Sequence, residues 1–242
     1  MIVDEKNLTN KYAGKIRFGQ QTIQPRKINT YTEWPEHRSE PIRPCLPELQ
    51  FFDILIEMIV SGKTKTEAEL LMSNIINDFA NGNVIQMDDM DMSVSAEITG
   101  IEKEFIKRWD YKIIITMQGW DKSMSQVIVT MDSTVQSVTV SGNQSTPCIV
   151  EVTASADLAS VELTGMAYNQ ISGKKESIII KNLKAGKKVV VNGEDCTVLQ
   201  DGVNKFADTE MWEFPILKPG KNMVSCSSDK CTVTLKYKPR YV

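Results

Sequence analysis

The chain offers few side chains that could act in catalysis. Its only histidine, His37, lies in a proline-rich segment and has no Cys or Glu at the spacing of a metal site or a catalytic triad. A position in a surface loop accounts for a lone histidine of this kind better than a role as general base does. Histidine-dependent acid–base chemistry is therefore not predicted.

Carboxylates are the other groups whose spacing could carry chemistry. Asp88, Asp89 and Asp91 lie close together, but the Gly and the closing Glu of a calcium loop do not follow at the required offsets. A solvated acidic turn is predicted instead. Asp157 and Glu162 could work as an acid–base pair only if the fold brought them together, and chance pairs are common in a chain with 31 acidic residues.

Sequence motifs for nucleotide binding or nucleophilic catalysis are also missing. The chain has no G-x-x-x-x-G-K-S/T phosphate loop, no dinucleotide G-x-G-x-x-G and no nucleophile elbow G-x-S-x-G. We therefore predict no catalytic, cofactor-binding or metal-binding residue, and we expect a protein that is not an enzyme.

Cysteine usage and charge narrow the class further. The five cysteines are Cys45, Cys148, Cys196, Cys226 and Cys231. They are scattered and lack C-x-x-C pairs, so reduced thiols are expected, although Cys226 and Cys231 could approach each other across a hairpin. The 28 basic and 31 acidic residues give a net charge of −3, which argues against specific nucleic-acid binding.

No apolar run reaches about 18 residues, so no membrane insertion is expected. Met1 to Lys11 lacks the features of a secretory signal, which predicts a cytoplasmic start.

Aromatic side chains allow two interpretations. Flat rings stack on sugars, but Trp and Tyr in β-rich proteins are mostly buried, so core anchoring is favoured. The tryptophans concerned are Trp34, Trp109, Trp120 and Trp212. For Trp212 we expect burial, on the same strand face as Phe214, with Pro215 ending the strand.

The first half of the sequence combines strands with one helix. Residues 51–60 alternate apolar and polar positions, which predicts a half-buried strand. Thr64 and Glu67 have the spacing of a capping box that opens a helix from about Lys65 to Ala80, and Asn81-Gly82 offers a left-handed stop. Further strands are predicted at residues 84–87, 93–99 and 111–118.

The second half contains only strand signals. Nine short β-rich segments follow residue 126 at regular spacing, which is typical of a sandwich or barrel. Asn192-Gly193 predicts a tight hairpin turn with positive φ. The composition changes near Gly119 to Gln126, so two domains are expected, 1–122 and 123–242, with a linker between them. The fold class is mainly β with an α+β N-terminal half.

Apolar residues on both faces of two N-terminal strands predict self-association. Leu55 and Ile59 share a face with Asp53 and Glu57, and the run Ile113 to Ile115 is similarly two-sided. One helix cannot cover both strands, so a neighbouring subunit is the expected cover. Residues 1 to about 120 should therefore form a closed ring, whereas residues 126–242 should remain monomeric.

The C-terminal sequence resembles the signature of phage distal tail proteins. The resemblance lies in Trp212-Glu-Phe214-Pro215-Ile-Leu217-Lys-Pro219-Gly220-Lys-Asn222 and in Thr232-Val-Thr-Leu-Lys-Tyr237-Lys-Pro239-Arg240-Tyr241. Upstream, Gly142-Asn143, residues 146–153 and residues 178–186 look like earlier strands of the same domain. The order of elements from Phe51 to Trp120 is similar to the ring-forming domain of that family.

This resemblance implies a structural role at the tail tip of a phage or phage-like virion, assembled in the host cytoplasm. Residues 1–122 would be a tail-tube-like ring domain, and residues 123–242 a galectin-like β-sandwich. The implied assembly is a homohexameric ring that joins the tail tube protein to the baseplate, a tail-associated lysin or hub protein, with tape measure and receptor-binding proteins as further partners. No cofactor is implied.

Two alternatives stay open. The chain could be a carbohydrate- or receptor-binding β-sandwich module of a tail, although the His and Asn-x-Arg pattern of sugar-binding galectins is missing. It could also be a tail tube subunit, which would form stacked rings instead of one terminal ring.

Overall fold

A computed structural model describes residues 1–29, 33, 35–37, 39–40, 48–80, 84–169 and 172–242. The chain divides into two compact units, Met1–Lys122 and Ser123–Val242. Several antiparallel sheets dominate both units, so the mainly β fold class is confirmed. Neither α-helix in the described part of the chain has the length and apolar character needed to cross a bilayer.

The first unit is built on one large antiparallel sheet. Its strands are β1 (Ile2–Val3), β2 (Lys6–Asn7), β3 (Ile16–Ile23), β4 (Ile28–Asn29), β5 (Glu48–Leu49), β6 (Phe52–Ser61), β7 (Val84–Gln86), β8 (Ser93–Lys107) and β9 (Asp110–Ser123), and its helices are α1 (Leu8–Lys11) and α2 (Lys65–Ala80). The main sheet has the order β2-β1-β7-β8-β9-β6-β3, and β4 and β5 form a separate two-stranded pair.

Strand β6 and helix α2 form the centre of the first core, as their periodicities predict. Alternate residues of β6, from Phe52 to Val60, are fully buried, while the residues between them are half-buried. Helix α2 buries Ala68, Leu71, Met72, Ile75 and Phe79. Ile76, next to Ile75 on α2, is only partly buried.

The start of α2 differs slightly from the predicted capping box. Thr64 Oγ1 accepts a hydrogen bond from the Glu67 N–H at 3.1 Å, as expected. The Glu67 carboxylate reaches one residue further back than expected and accepts from the Lys63 N–H at 2.9 Å. Thr64 thus satisfies the Glu67 N–H in the first turn of the helix. The predicted stop at Asn81-Gly82 lies outside the described residues.

A buried carboxylate ties α1 to the end of α2. Asp78 is 7% exposed and accepts hydrogen bonds from Lys11 Nζ at 2.6 Å and from the Tyr12 hydroxyl at 2.7 Å. Burial opposes ionisation of Asp78, but the two donors outweigh it and lower the pKa of the carboxyl. The pKa values of Lys11 and Tyr12 are both raised.

The second unit consists of two larger sheets that share one core. Its strands are β10 (Val127–Thr130), β11 (Val135–Val140), β12 (Thr146–Ala154), β13 (Leu158–Tyr168), β14 (Lys175–Leu183), β15 (Lys188–Asn192), β16 (Thr197–Gln200), β17 (Val203–Asn204), β18 (Thr209–Glu210), β19 (Ile216–Leu217), β20 (Gly220–Cys226), β21 (Cys231–Tyr237) and β22 (Arg240–Tyr241), with a 3₁₀ turn at Phe206–Asp208. One sheet has the order β10-β21-β12-β15-β16-β17, with β19 also on β12, and the other has the order β11-β20-β13-β14-β18. Buried side chains from both sheets form a single cluster, which makes this unit a β-sandwich.

Strand β13 contains a bulge that brings it very close to its antiparallel neighbour β20. The pairing of β13 with β14 shifts register between Thr164 and Ala167. Gly165 lies in this bulge at φ +78°, and a Cβ on it would sit 1.8 Å from the carbonyl oxygen of Met223. The bulge turns Met166 and Ala167 both into the core, where each is fully buried.

The expectation that Trp212 is buried is wrong. Residues 211–215 form a bend between β18 and β19 instead of a strand, and Trp212 is 91% exposed. Residues two positions apart share a face only where the backbone is extended. Because the backbone bends here, Phe214 packs toward the core while Trp212 faces solvent. Phe214 stacks on Phe206 with ring centroids 6.1 Å apart.

The Asn192-Gly193 hairpin exists, but its turn differs from the prediction. Asn192 pairs with Thr197, so the connection has four residues, and the positive φ falls on Cys196 at +54°. Asn192 Oδ1 accepts a hydrogen bond from the Glu194 N–H at 2.8 Å. Gly193 is needed for space, because a Cβ there would meet the Pro215 carbonyl oxygen at 2.1 Å.

The segment predicted as a linker is mostly strand. Gly119 to Ser123 belong to β9, and Gly119 and Ser123 are buried. Only residues 124–126 lie between β9 and β10. The change of composition therefore marks the end of a long strand, not an extended connection.

Candidate assembly interface

The residues singled out for chemistry are not brought together. His37 is exposed, with φ at +67°. Asp157 accepts hydrogen bonds from Lys184 Nζ and the Ala185 N–H, both at 2.8 Å, and Glu162 lies exposed on β13. In the described ranges no three His, Cys, Asp or Glu side chains are grouped so that they could hold a metal ion.

The acidic turn at residues 88–91 has a structural use. Asp88 pairs with the N-terminal ammonium of Met1, which lowers the pKa of the carboxyl, and it also accepts a hydrogen bond from Gln21 Nε2 at 3.1 Å. Asp89 is exposed at φ +63° and Asp91 is exposed. The turn thus holds the chain start beside β3.

The cysteines described are free thiols. Burial raises the pKa of Cys148 to about 12. Burial and the neighbouring Cys226 thiol together raise the pKa of Cys231 to about 11, so these two cysteines do approach each other. Cys196 is exposed, and Cys45 lies outside the described residues. Thiols with raised pKa values carry little thiolate, so the geometry does not favour a nucleophile at either buried position.

The first unit has a long stretch of β8 along which the described strands provide no second hydrogen-bonding neighbour. This strand has 15 residues and lies beside β9 on one side of the sheet order. On its other side, the strands described supply partners only for Ser93, Val94 and Ser95, through β7. Residues 96–107 therefore present a row of backbone N–H and C=O groups that another strand could bind.

Exposed apolar side chains accompany this edge near the hairpin end. Phe105 is 61% exposed, Ile106 is 43% exposed and Ile101 is 40% exposed. Phe105 contacts Tyr111 edge to face with ring centroids 5.8 Å apart, and Lys103 Nζ lies 4.3 Å above the Tyr111 ring. Apolar groups grouped on a strand edge are typical of a protein–protein contact.

The opposite border of the same sheet is β3. This strand pairs with β6 and is the last strand in the order. The pairing shifts register between Phe18 and Gln21, a bulge of the kind common on edge strands. Among the described strands, the sheet therefore ends at β3 on one side, and most of β8 has no second neighbour on the other.

The outer face of the sheet is partly apolar, as the sequence predicts. Leu55, Ile59 and Ile114 are half-buried on this face. Between them Lys112 Nζ and Glu57 Oε1 form an ion pair at 3.0 Å. The face thus combines aliphatic groups with one paired charge, a composition suited to a subunit contact.

Comparison with known proteins points to phage tails. Residues 141–241 match the family SPP1_Dit, described as siphovirus-type tail component, C-terminal domain. No curated protein sequence matches the chain. The fold is similar to SPP1 Dit (gp 19.1), described as a paradigm of the hub adsorption apparatus in phages that infect Gram-positive bacteria. That match has a TM-score of 0.80 and 10% identity, and it covers 100% of this chain and 98% of the other. A chain of the phage P2 baseplate in its activated conformation with Ca matches at a TM-score of 0.51 and 11% identity, over 93% and 91% of the two chains.

Proposed function

We propose that this chain, which resembles phage distal tail proteins, is a structural, non-enzymatic component of a phage tail tip. The observation that carries the proposal is the fold match to SPP1 Dit over 100% of this chain, together with the family match of residues 141–241. The match extends over both units, so it supports the role of a whole hub protein and not of one shared module.

The two open edges favour assembly into a ring. If β8 of one subunit pairs with β3 of the next, the interface uses two different surfaces and is heterologous. Such an interface repeats head to tail and either closes into a ring or continues as a filament. Closure also removes sheet edges that would otherwise invite uncontrolled pairing. The family resemblance favours six subunits.

The two units would have different roles in the assembly. The first unit, with its open edges and partly apolar outer face, would form the ring and dock on the tail tube protein. The second unit has strands that alternate between buried and open positions, such as Cys231–Tyr237, and would need no neighbour on its outer face. The resemblance to distal tail proteins implies four kinds of partner: a baseplate hub, a tail-associated lysin, the tape measure protein and receptor-binding proteins. The formal charge of −3 gives no reason to expect specific nucleic-acid binding.

Electron microscopy and mass photometry of the full chain test this function. We expect single closed rings of about six copies at micromolar concentration, with the ring fraction rising with concentration by mass action. Stacked rings or filaments would instead favour a tail tube subunit. A chain that remains monomeric at every concentration up to about 100 μM would contradict the ring assignment.

A further inference from the structure

Trp212 is presented to solvent by an anchored bend. Its exposure of 91% is the highest among the large hydrophobic residues described. On either side of it, Met211 and Phe214 pack against the core of the second unit. The bend is therefore anchored on both sides of Trp212. An anchored, exposed indole is typical of a binding surface.

A groove of about 500 Å³ runs beside this ring. Trp212 and Phe206 are its aromatic members, and Phe206 is 48% exposed. The remaining lining residues are Glu176, Ser177, Ile179, Thr209, Glu210 and Met211. The volume lies within the range of small-ligand sites, roughly 300 to 1,000 Å³.

The strand register explains why polar groups collect in this groove. Ile179 of β14 lies opposite Glu210 of β18, on the face away from the core, because Ile178 and Ile180 are the buried residues of β14. Ser177 stands two residues before Ile179 and so shares this outer face. The groove therefore follows the outer side of the sheet at its β18 edge.

The charged side chains that line the groove are the carboxylates Glu176 and Glu210. Glu210 also forms an ion pair with Lys181, which is not part of the lining, and the two side chains are 58% and 43% exposed. Thr209 Oγ1 donates its proton to the Phe206 carbonyl at 2.7 Å, which leaves the hydroxyl oxygen as an acceptor. Glu176 adds one further carboxylate, so an anionic ligand would be repelled.

We propose that this groove binds a neutral glycan, with one pyranose ring stacked on Trp212. The apolar face of a sugar ring matches the indole, and its hydroxyls both donate and accept. They can therefore donate to Glu176, to Glu210 and to the hydroxyl oxygen of Thr209. The excess carboxylate selects against phosphate-bearing or acidic sugars. The proposal goes beyond the tail-tip role and does not depend on ring formation.

Four neutral oligosaccharides serve as probes of the intact protein: maltotriose, cellotriose, triacetylchitotriose and galactobiose. Binding is followed by tryptophan fluorescence and by calorimetry. We expect at least one probe to bind with a Kd on the order of 0.1 to 10 mM and to shift the emission to the blue. Trp212→Ala should weaken this binding by about tenfold or more, and Glu210→Gln should weaken it without changing the melting temperature.

Trp120→Ala is the matched control, since Trp120 is 41% exposed and lies in the first unit. It should bind the probe as the wild type does. The proposal is wrong if none of the four saccharides binds at about 10 mM, or if Trp212→Ala binds as tightly as the wild type. Binding of choline chloride alone would instead identify a cation site and would also overturn it. Ring formation is recorded on the same Trp212→Ala sample, so a failure of this proposal is distinguishable from a failure of the tail-tip role.

Discussion

The side chain of Asn222 closes the turn that begins at Lys218. Asn222 Oδ1 accepts a hydrogen bond from the Lys218 N–H at 3.1 Å, and Asn222 Nδ2 donates to the Lys218 carbonyl at 2.8 Å. Asn222 is only 1% exposed, and the Tyr168 hydroxyl also donates to its Oδ1 at 3.4 Å. The asparagine of the C-terminal motif thus acts as a structural clamp between β19 and β20.

Asn222→Ala should destabilise the C-terminal unit. The change leaves buried or partly buried backbone groups of Lys218 without their partner, which costs about 1 to 3 kcal/mol. Urea denaturation of the full chain measures the loss. Lys221→Ala, at an exposed neighbouring position, is the control and should change stability by less than about 0.5 kcal/mol. Equal stability of the two variants would show that the clamp is dispensable.

Trp212→Ala should leave stability almost unchanged, because the indole is exposed. We expect a difference within about 0.5 kcal/mol, as for other surface substitutions. Leu217→Ala, five residues further along the motif, should cost about 2 to 5 kcal/mol, since Leu217 is fully buried. Thermal or chemical denaturation of both variants checks this contrast. A large loss for Trp212→Ala would mean that the ring packs on the protein in solution.

Removal of the buried carboxylate should make stability less dependent on acidic pH. Asp78→Ala leaves the Tyr12 hydroxyl unpaired and should cost about 1 to 3 kcal/mol at pH 7. The folded-state pKa of Asp78 is lowered, so its contribution is present above the unfolded pKa of about 3.9 and is lost as pH falls through the folded value. The difference between wild type and variant should therefore shrink below about pH 4. Denaturation at pH 7 and pH 3, with Asp91→Ala as an exposed control, tests this sign.

Phe105→Lys should impair assembly with little effect on folding. Phe105 is 61% exposed beside the open edge of β8, so a charge there disfavours a neighbouring subunit more than it disturbs the monomer. We expect ring association to weaken by about tenfold or more in mass photometry. Ile128→Lys, which is 60% exposed on β10 of the second unit, should assemble normally. Loss of rings in the Ile128 variant alone would move the interface to the C-terminal unit.

Helices and strands in which apolar residues recur at regular intervals could be predicted from the sequence. Phe52 to Val60 and the apolar face of α2 follow from periods of 2 and 3.6, because burial of one face imposes those periods directly. C-terminal strands such as β12 and β21 were also predictable, since their residues alternate between a core face and an outer face.

Bends and close contacts could not be predicted in the same way. The exposure of Trp212 depends on a local reversal at residues 211–215, and an aromatic spacing of two looks the same in a strand. Gly193 has the sequence signature of a tight turn, yet it is required by the Pro215 carbonyl, which lies 22 residues away in sequence. The open edge of β8 depends on which strands pair, and pairing is a long-range property.

The close contact of Gly165 with the Met223 carbonyl restricts which residues position 165 can accept. No L-amino acid with a side chain fits there, because even a methyl group would overlap the Met223 carbonyl oxygen. Met166 and Ala167, by contrast, share one region of core and can exchange volume between them through compensating substitutions. A solved structure with a similar fold shares only 10% of its sequence with this chain, so the fold tolerates different residues at most positions. Position 165 is expected to tolerate little change, whereas packing leaves an exposed residue such as Trp212 free to change.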